Sequence, residues 1–155
     1  CRIKDLVGRV KELGQDAVAI TDHGVMYGVI DFYRACKAEG IKPIIGCEVY
    51  VAPRTLYDKV HEFDSEARHL VLLCENMKGY ENLCLLVSEA YTNGFYYKPR
   101  VDHELLEQYH EGLICLSACL AGELPQKLLA GKDKEAEEYT NACKLLDTKV
   151  LKTQS

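Results

Sequence analysis

The chain has 155 residues, 48% hydrophobic and 28% charged, enough to bury roughly two-thirds of its unfolded surface as one domain or part of one. A net charge of −5 argues against a strong duplex-DNA binder, which needs clustered Lys and Arg. No apolar run approaches the ~20 residues that span a bilayer, and no signal-peptide pattern opens the chain.

Residues 2–13 carry Ile3, Leu6, Val7, Val10 and Leu13 at helical spacing, with Gly14 as a stop, and predict a helix. Residues 17–20 (AVAI) are short and wholly apolar, the pattern of a buried strand. Residues 27–40 return to helix and end in glycine. Residues 42–52 (KPIIGCEVYVA) are β-branched and strand-like, and the polar composition of 53–68 predicts a loop. A second apolar strand is expected at 69–74 (HLVLLC), then a helix at 77–94. Residues 95–102 (FYYKPRVD) read as an extended connector, because the residue before Pro99 is pushed out of the helical region. A helix at 103–112, a strand at 113–119 and two short helices at 124–130 and 133–146 complete the chain. Apolar strands alternating with amphipathic helices predict an α/β fold with mostly parallel strands, as an open sheet or a barrel.

The eight cysteines (1, 36, 47, 74, 84, 115, 119 and 143) include no Cys-x-x-Cys pair and mostly lie in apolar segments. Reduced, buried thiols of a cytoplasmic protein fit them better than a disulfide framework.

In such folds, function sits at the carboxyl ends of the strands. Asp22 and His23 follow AVAI, Cys47 and Glu48 follow KPIIG, and Cys119 follows LICLS. His69 is the exception, opening its strand instead of closing it. Imidazole, carboxylate and thiol are donors that zinc favours, and a carboxylate lets manganese compete. Each residue also has a plain structural explanation: a rim histidine with a hydrogen-bond partner, or a cysteine packed as a small hydrophobe. Glu48 is harder to explain that way, since a carboxylate in an apolar run needs a cation or a set of donors. His61, His103 and His110 lie in polar or helical surroundings and read as surface. Tyr96, Tyr97, Lys98 and Arg100 combine rings and cations suited to contact with nucleic acid or another domain. Equally, the tyrosines would pack this loop onto the body.

Three stretches carry a resemblance. AITDHGVMYGVIDFYRACKAEGIKPIIGCEVYVAPR, HLVLLCENMKGYENLCLLVSEAYTNGFYYKPRVD and GLICLSACLAGELPQ are similar to the N-terminal PHP (polymerase and histidinol phosphatase) domain of bacterial DNA polymerase III α subunits of the DnaE type. The likeness runs from about residue 2 to 146. It implies a distorted (β/α) barrel, incomplete here, with metal ions at its C-terminal rim.

Carried over position by position, it implies His23, Glu48, His69 and Cys119 as metal ligands, with Asp22 orienting a neighbour from behind. It implies zinc or manganese at this site, and magnesium for a polymerase part outside this chain. The implied partners are primer-template DNA and other polymerase III subunits, in the cytoplasm and without a membrane. The parent is then a DNA-directed DNA polymerase, and the PHP site is either a metal-dependent 3′–5′ exonuclease for proofreading or a silent scaffold that docks one.

The chain begins with Cys1, and the family's first His-x-His motif and late Asp-x-His motif have no counterpart in it. Residues 1–155 are therefore expected to be part of a PHP domain, inactive alone, with an atypical tail at about 147–155.

Overall fold

The computed structural model describes residues 2–145, so the expectation for the tail at 147–155 lies outside the described residues, as do those for Cys1 and residue 146. Helix α1 (Ile3–Glu12) leads into strand β1 (Ala17–His23), followed by α2 (Val29–Ala38) and β2 (Lys42–Val51). A short α3 (His61–Asp64) precedes β3 (Arg68–Cys74) and the long α4 (Met77–Thr92). Then come β4 (Arg100–Val101), α5 (His103–Gln108), β5 (Leu113–Leu116), α6 (Glu123–Leu129) and α7 (Asp133–Leu145).

The fold is α/β, with one open sheet in the order β1-β2-β3-β5 and with β4 extending the β1 side of β2. β2 runs parallel to β1 and to β4, while β3 is antiparallel to both β2 and β5. Four of the five strands therefore share one direction, and β3 alone is reversed. Apolar content cannot reveal such a reversal, because a buried strand has the same composition in either direction. Two expected boundaries also shift. β1 runs three residues beyond AVAI, because Thr21, Asp22 and His23 stay in register with Gly46, Cys47 and Glu48. The 53–68 segment is not all loop, since α3 interrupts it.

The pleat sends alternate residues to opposite faces of the sheet. On the helix-covered face, Val18 and Ile20 pack on Val7, Val10, Phe32, Cys36 and Ile41. On the same face, Cys47, Val49, Val51, Leu70 and Leu72 pack on Leu83, Leu86 and Ala90 of α4. Two side chains cap helix starts where polar caps are favoured. Asn76 Oδ1 accepts from Gly79 N at 3.0 Å, and Asp102 Oδ1 accepts from Leu105 N at 2.9 Å. The other face of the sheet carries the candidate site.

Candidate metal centre

Register decides which side chains share the uncovered face. His23 pairs with Glu48 across β1 and β2, and Tyr50 pairs with His69 across β2 and β3. The reversal of β3 explains the odd position of His69. The start of an antiparallel strand lies at the rim where its neighbours end, so His69 opens β3 beside Glu48. The loop after β5 folds back to the same place. His69 N donates to Ala121 O at 3.1 Å, and Gly122 N donates to Cys119 O at 2.8 Å.

The result is a contiguous cluster. His23 Nδ1 stands 3.2 Å and His69 Nδ1 2.8 Å from Glu48 Oε1, and Cys119 Sγ lies 3.5 Å from His69 Nδ1. The structure thus brings His23, Glu48, His69 and Cys119 together from four separate elements. Their exposure is graded: the His23 side chain is 68% exposed, His69 25% and Glu48 16%. Cys119 is open to solvent. Glu48 Oε1 itself is buried and forms no hydrogen bond, because neither imidazole is aligned with it. A buried carboxylate oxygen without a donor costs free energy that a cation would offset. Two imidazoles, a carboxylate and a thiol form a donor set suited to zinc or manganese. As the side chains stand, among the described residues no group of three or more His, Cys, Asp or Glu has a geometry that could hold a metal ion. The nitrogens close on the carboxylate instead of surrounding a common point.

Two expectations need correction. Asp22 pairs with Cys47, on the helix side of the sheet, and its Oδ2 is directed toward Gly28. The alternation of the pleat turns it away from the histidines, so its carboxylate does not stand behind either of them. Arg100 does not face solvent. It is fully buried and donates to the carbonyls of Gly94, Leu56, Asp58 and Asp64. With its donors committed to backbone, it is withdrawn from any phosphate and pins the 53–64 segment.

Other neighbours of the cluster are settled by packing. Cys47 donates to the carbonyls of Asp22 and Val25 and packs on the helix-covered face, away from the histidines, where burial pushes its thiol up to about 11. His61 is exposed and meets the Tyr97 ring edge-on at 6.1 Å. His103 pairs with Glu123 at 2.9 Å, and His110 Nδ1 lies 2.6 Å from Glu107 O. Sequence reasoning missed Tyr50, whose ring meets His69 edge-on at 5.2 Å. The period-two spacing from Glu48 was the signal that could have found it. Gly24 is a second omission. It holds φ +67°, and a Cβ there would lie 3.0 Å from both Pro99 and Tyr50. Only glycine lets the turn after His23 close against that wall without strain.

An open α/β sheet with a His/Glu/His/Cys rim finds its class in sequence comparison: the PHP domain model matches residues 1–148, and the chain belongs to that family. Among its relatives, the DNA polymerase III subunit alpha of Treponema pallidum is 53% identical over 145 residues, 93% of this chain and 12% of that protein. That of Chlamydia muridarum is 54% identical over 134 residues, 86% of this chain and 11% of that protein. The chain thus spans about a tenth of the length of these relatives. A solved structure from Bifidobacterium adolescentis, provisionally described as a metal-dependent phosphoesterase, is similar with a TM-score of 0.39 and 20% identity. That likeness covers 57% of this chain and 27% of the other.

Proposed function

We propose that this chain is the PHP module of a bacterial replicative DNA polymerase III α subunit, and that its rim is a metal-dependent phosphoesterase site. In this reading it removes misincorporated nucleotides as a 3′–5′ exonuclease. It works beside a magnesium-dependent polymerase part of the longer chain, on primer-template DNA and with other polymerase III subunits in the cytoplasm. The supporting observation is Glu48 Oε1, buried, without a hydrogen bond and faced by two imidazoles. His23, Glu48, His69 and Cys119 would hold zinc or manganese. Such ions, when bound, polarise a phosphoryl oxygen and acidify water. The chain's own residues set where that happens: the half-buried Glu48 and His69 form the floor, and the exposed His23 and Cys119 form the open side. A second reading, a silent scaffold that docks a partner exonuclease, is favoured by the side chains standing closed on one another.

The experiment uses the full-length polypeptide that carries this segment, freed of any co-purifying exonuclease. Chelator-sensitive degradation of single-stranded DNA from the 3′ end, restored by zinc or manganese, is expected. His23→Ala and Glu48→Ala each lower it by at least about 100-fold, since even outer-shell changes at metal sites cost 10–100-fold. Primer extension is at least partly retained. Absence of degradation in the wild type, or its persistence in both variants, overturns the exonuclease reading and leaves the scaffold.

A further inference from the structure

The aromatic and basic residues beside the candidate metal centre divide into anchors and a presented tip. Arg100 is an anchor: its guanidinium lies 5.2 Å from the Tyr96 ring centre while its nitrogens hold four carbonyls. Tyr96 in turn packs against Tyr97, ring centres 4.6 Å apart, and Tyr96 N donates to Lys98 O at 3.0 Å. This closes a tight turn whose middle residue, Tyr97, takes φ 58°, a region non-glycine residues rarely adopt. Tyr97 is 61% exposed, and the His61 ring meets its ring edge-on. Tyr57 and Phe63, from the neighbouring 53–64 segment, are also exposed.

Lys98 connects this tip to the site. Its Nζ stands 5.2 Å from the centre of the Tyr50 ring, and that ring meets His69 edge-on at 5.2 Å. Among the described residues Lys98 has no ion-pair partner, whereas nearby Arg54 is committed to Asp58 and Asp64. An unpaired ammonium one ring away from a phosphoester site, next to an exposed aromatic face held by a rigid turn, matches the two repeating features of a nucleic-acid strand. The match is to an unpaired strand. Bases must be unstacked to lie on a ring, and a chain of net charge −5 is poorly suited to a duplex.

We propose that Tyr97 and Lys98 form the strand platform of the Glu48 site, with Tyr97 stacking an unpaired base and Lys98 holding the adjoining phosphate. Tyr50 and the Arg100–Tyr96 pair fix the platform's height above His69. The inference rests on the phosphoesterase reading for the direction in which the strand is fed, but not for its contact with the rim.

Two measurements on the full-length polypeptide separate the two ideas. The first is photocrosslinking of a single-stranded oligonucleotide carrying 5-iodouracil near its 3′ end, with the polymerase cleft saturated by primer-template. The crosslink is expected in the peptide containing Tyr97 and is lost in Tyr97→Leu. This readout needs no turnover, so it holds whether or not the site is an active phosphoesterase. The second is steady-state 3′ degradation of the same oligonucleotide. Tyr97→Leu is expected to raise KM about 5- to 100-fold, as loss of one stacked base does, and Lys98→Gln to raise KM and weaken its salt dependence, as loss of one phosphate contact does, each with kcat changed less than about 2-fold. Turnover of bis(p-nitrophenyl) phosphate by the wild type tests the phosphoesterase reading alone. A wild type without the Tyr97 crosslink overturns the platform and leaves the aromatic rim as a protein contact. Variants that lower kcat with KM unchanged overturn it as well.

Discussion

Glu48 Oε1 is the buried, unbonded atom of the rim, and Cys119 is its exposed thiol. Cys119 is exposed, while Cys36, Cys47 and Cys115 are buried. Burial also pushes Cys74 up to about 12 and Cys47 up to about 11, which removes their reactive thiolate. Among the described cysteines, a bulky aromatic disulfide reagent should therefore modify Cys119 first in the native chain and leave Cys36, Cys47 and Cys115 untouched until unfolding. Peptide mapping should show fast labelling of the peptide that carries Cys119, and that labelling should be lost in Cys119→Ser. If Cys119 shares a cation with Glu48, added manganese slows that labelling in the wild type and not in Glu48→Ala.

At the level of elements, two close approaches hold the rim in place. The first is between α4 and the turn before β5. A Cβ on Gly79 would lie within 1.9 Å of Gly112 O, and both partners are backbone, so neither can rotate away. Asn82 Nδ2 donates to Glu111 O at 2.8 Å in the same contact. Gly79→Ala should destabilise the chain by about 1–3 kcal/mol or more, measured by urea unfolding, because overpacking there must move a helix. The second is the 53–64 segment. Arg54 Nε donates to Asp64 Oδ1 at 3.0 Å, and this hydrogen bond holds the buried Asp64 carboxyl below its ordinary value of 3.8. A depressed carboxyl stabilises the fold at pH values above its unfolded pKa, and the contribution fades as pH falls through the lower, folded value. Asp64→Asn should therefore lower Tm at pH 7, and the deficit against wild type should close as pH drops below 3.8.

For the whole molecule, the four candidate donors are neighbours only when the sheet is complete. They come from the end of β1, the middle of β2, the start of β3 and the loop after β5. A cation that binds this arrangement binds the folded state and not the unfolded chain. Manganese at about 100 times its Kd should then stabilise the chain by about 2.7 kcal/mol, seen as a chelator-reversible rise in Tm. Glu48→Ala should remove the rise even if it leaves the apo stability little changed. An equal rise in wild type and Glu48→Ala would place the cation elsewhere.

Much of this was written in local pattern. The alternation of apolar strands with amphipathic helices specified an α/β chain, because burial on one stripe or one face leaves a period that can be read directly. His23 at the end of β1, Glu48 just after the apolar KPIIG run, and Cys119 two residues beyond LICLS marked the rim for the same reason. Position after an apolar run is a local property. Three things were decided only by tertiary structure. The direction of β3 depends on its pairing with β2 and β5, and that reversal turned the misplaced His69 into a member of the cluster. The face on which Asp22 emerges depends on strand register, and β1 continuing through His23 put Asp22 on the helix side. Arg100 sits between Lys98 and Val101 in a segment that reads as a charged connector, yet the 53–64 segment folds over it and takes its donors. Pairing, register and burial are relations between residues far apart in the chain, and no window of neighbouring residues contains them.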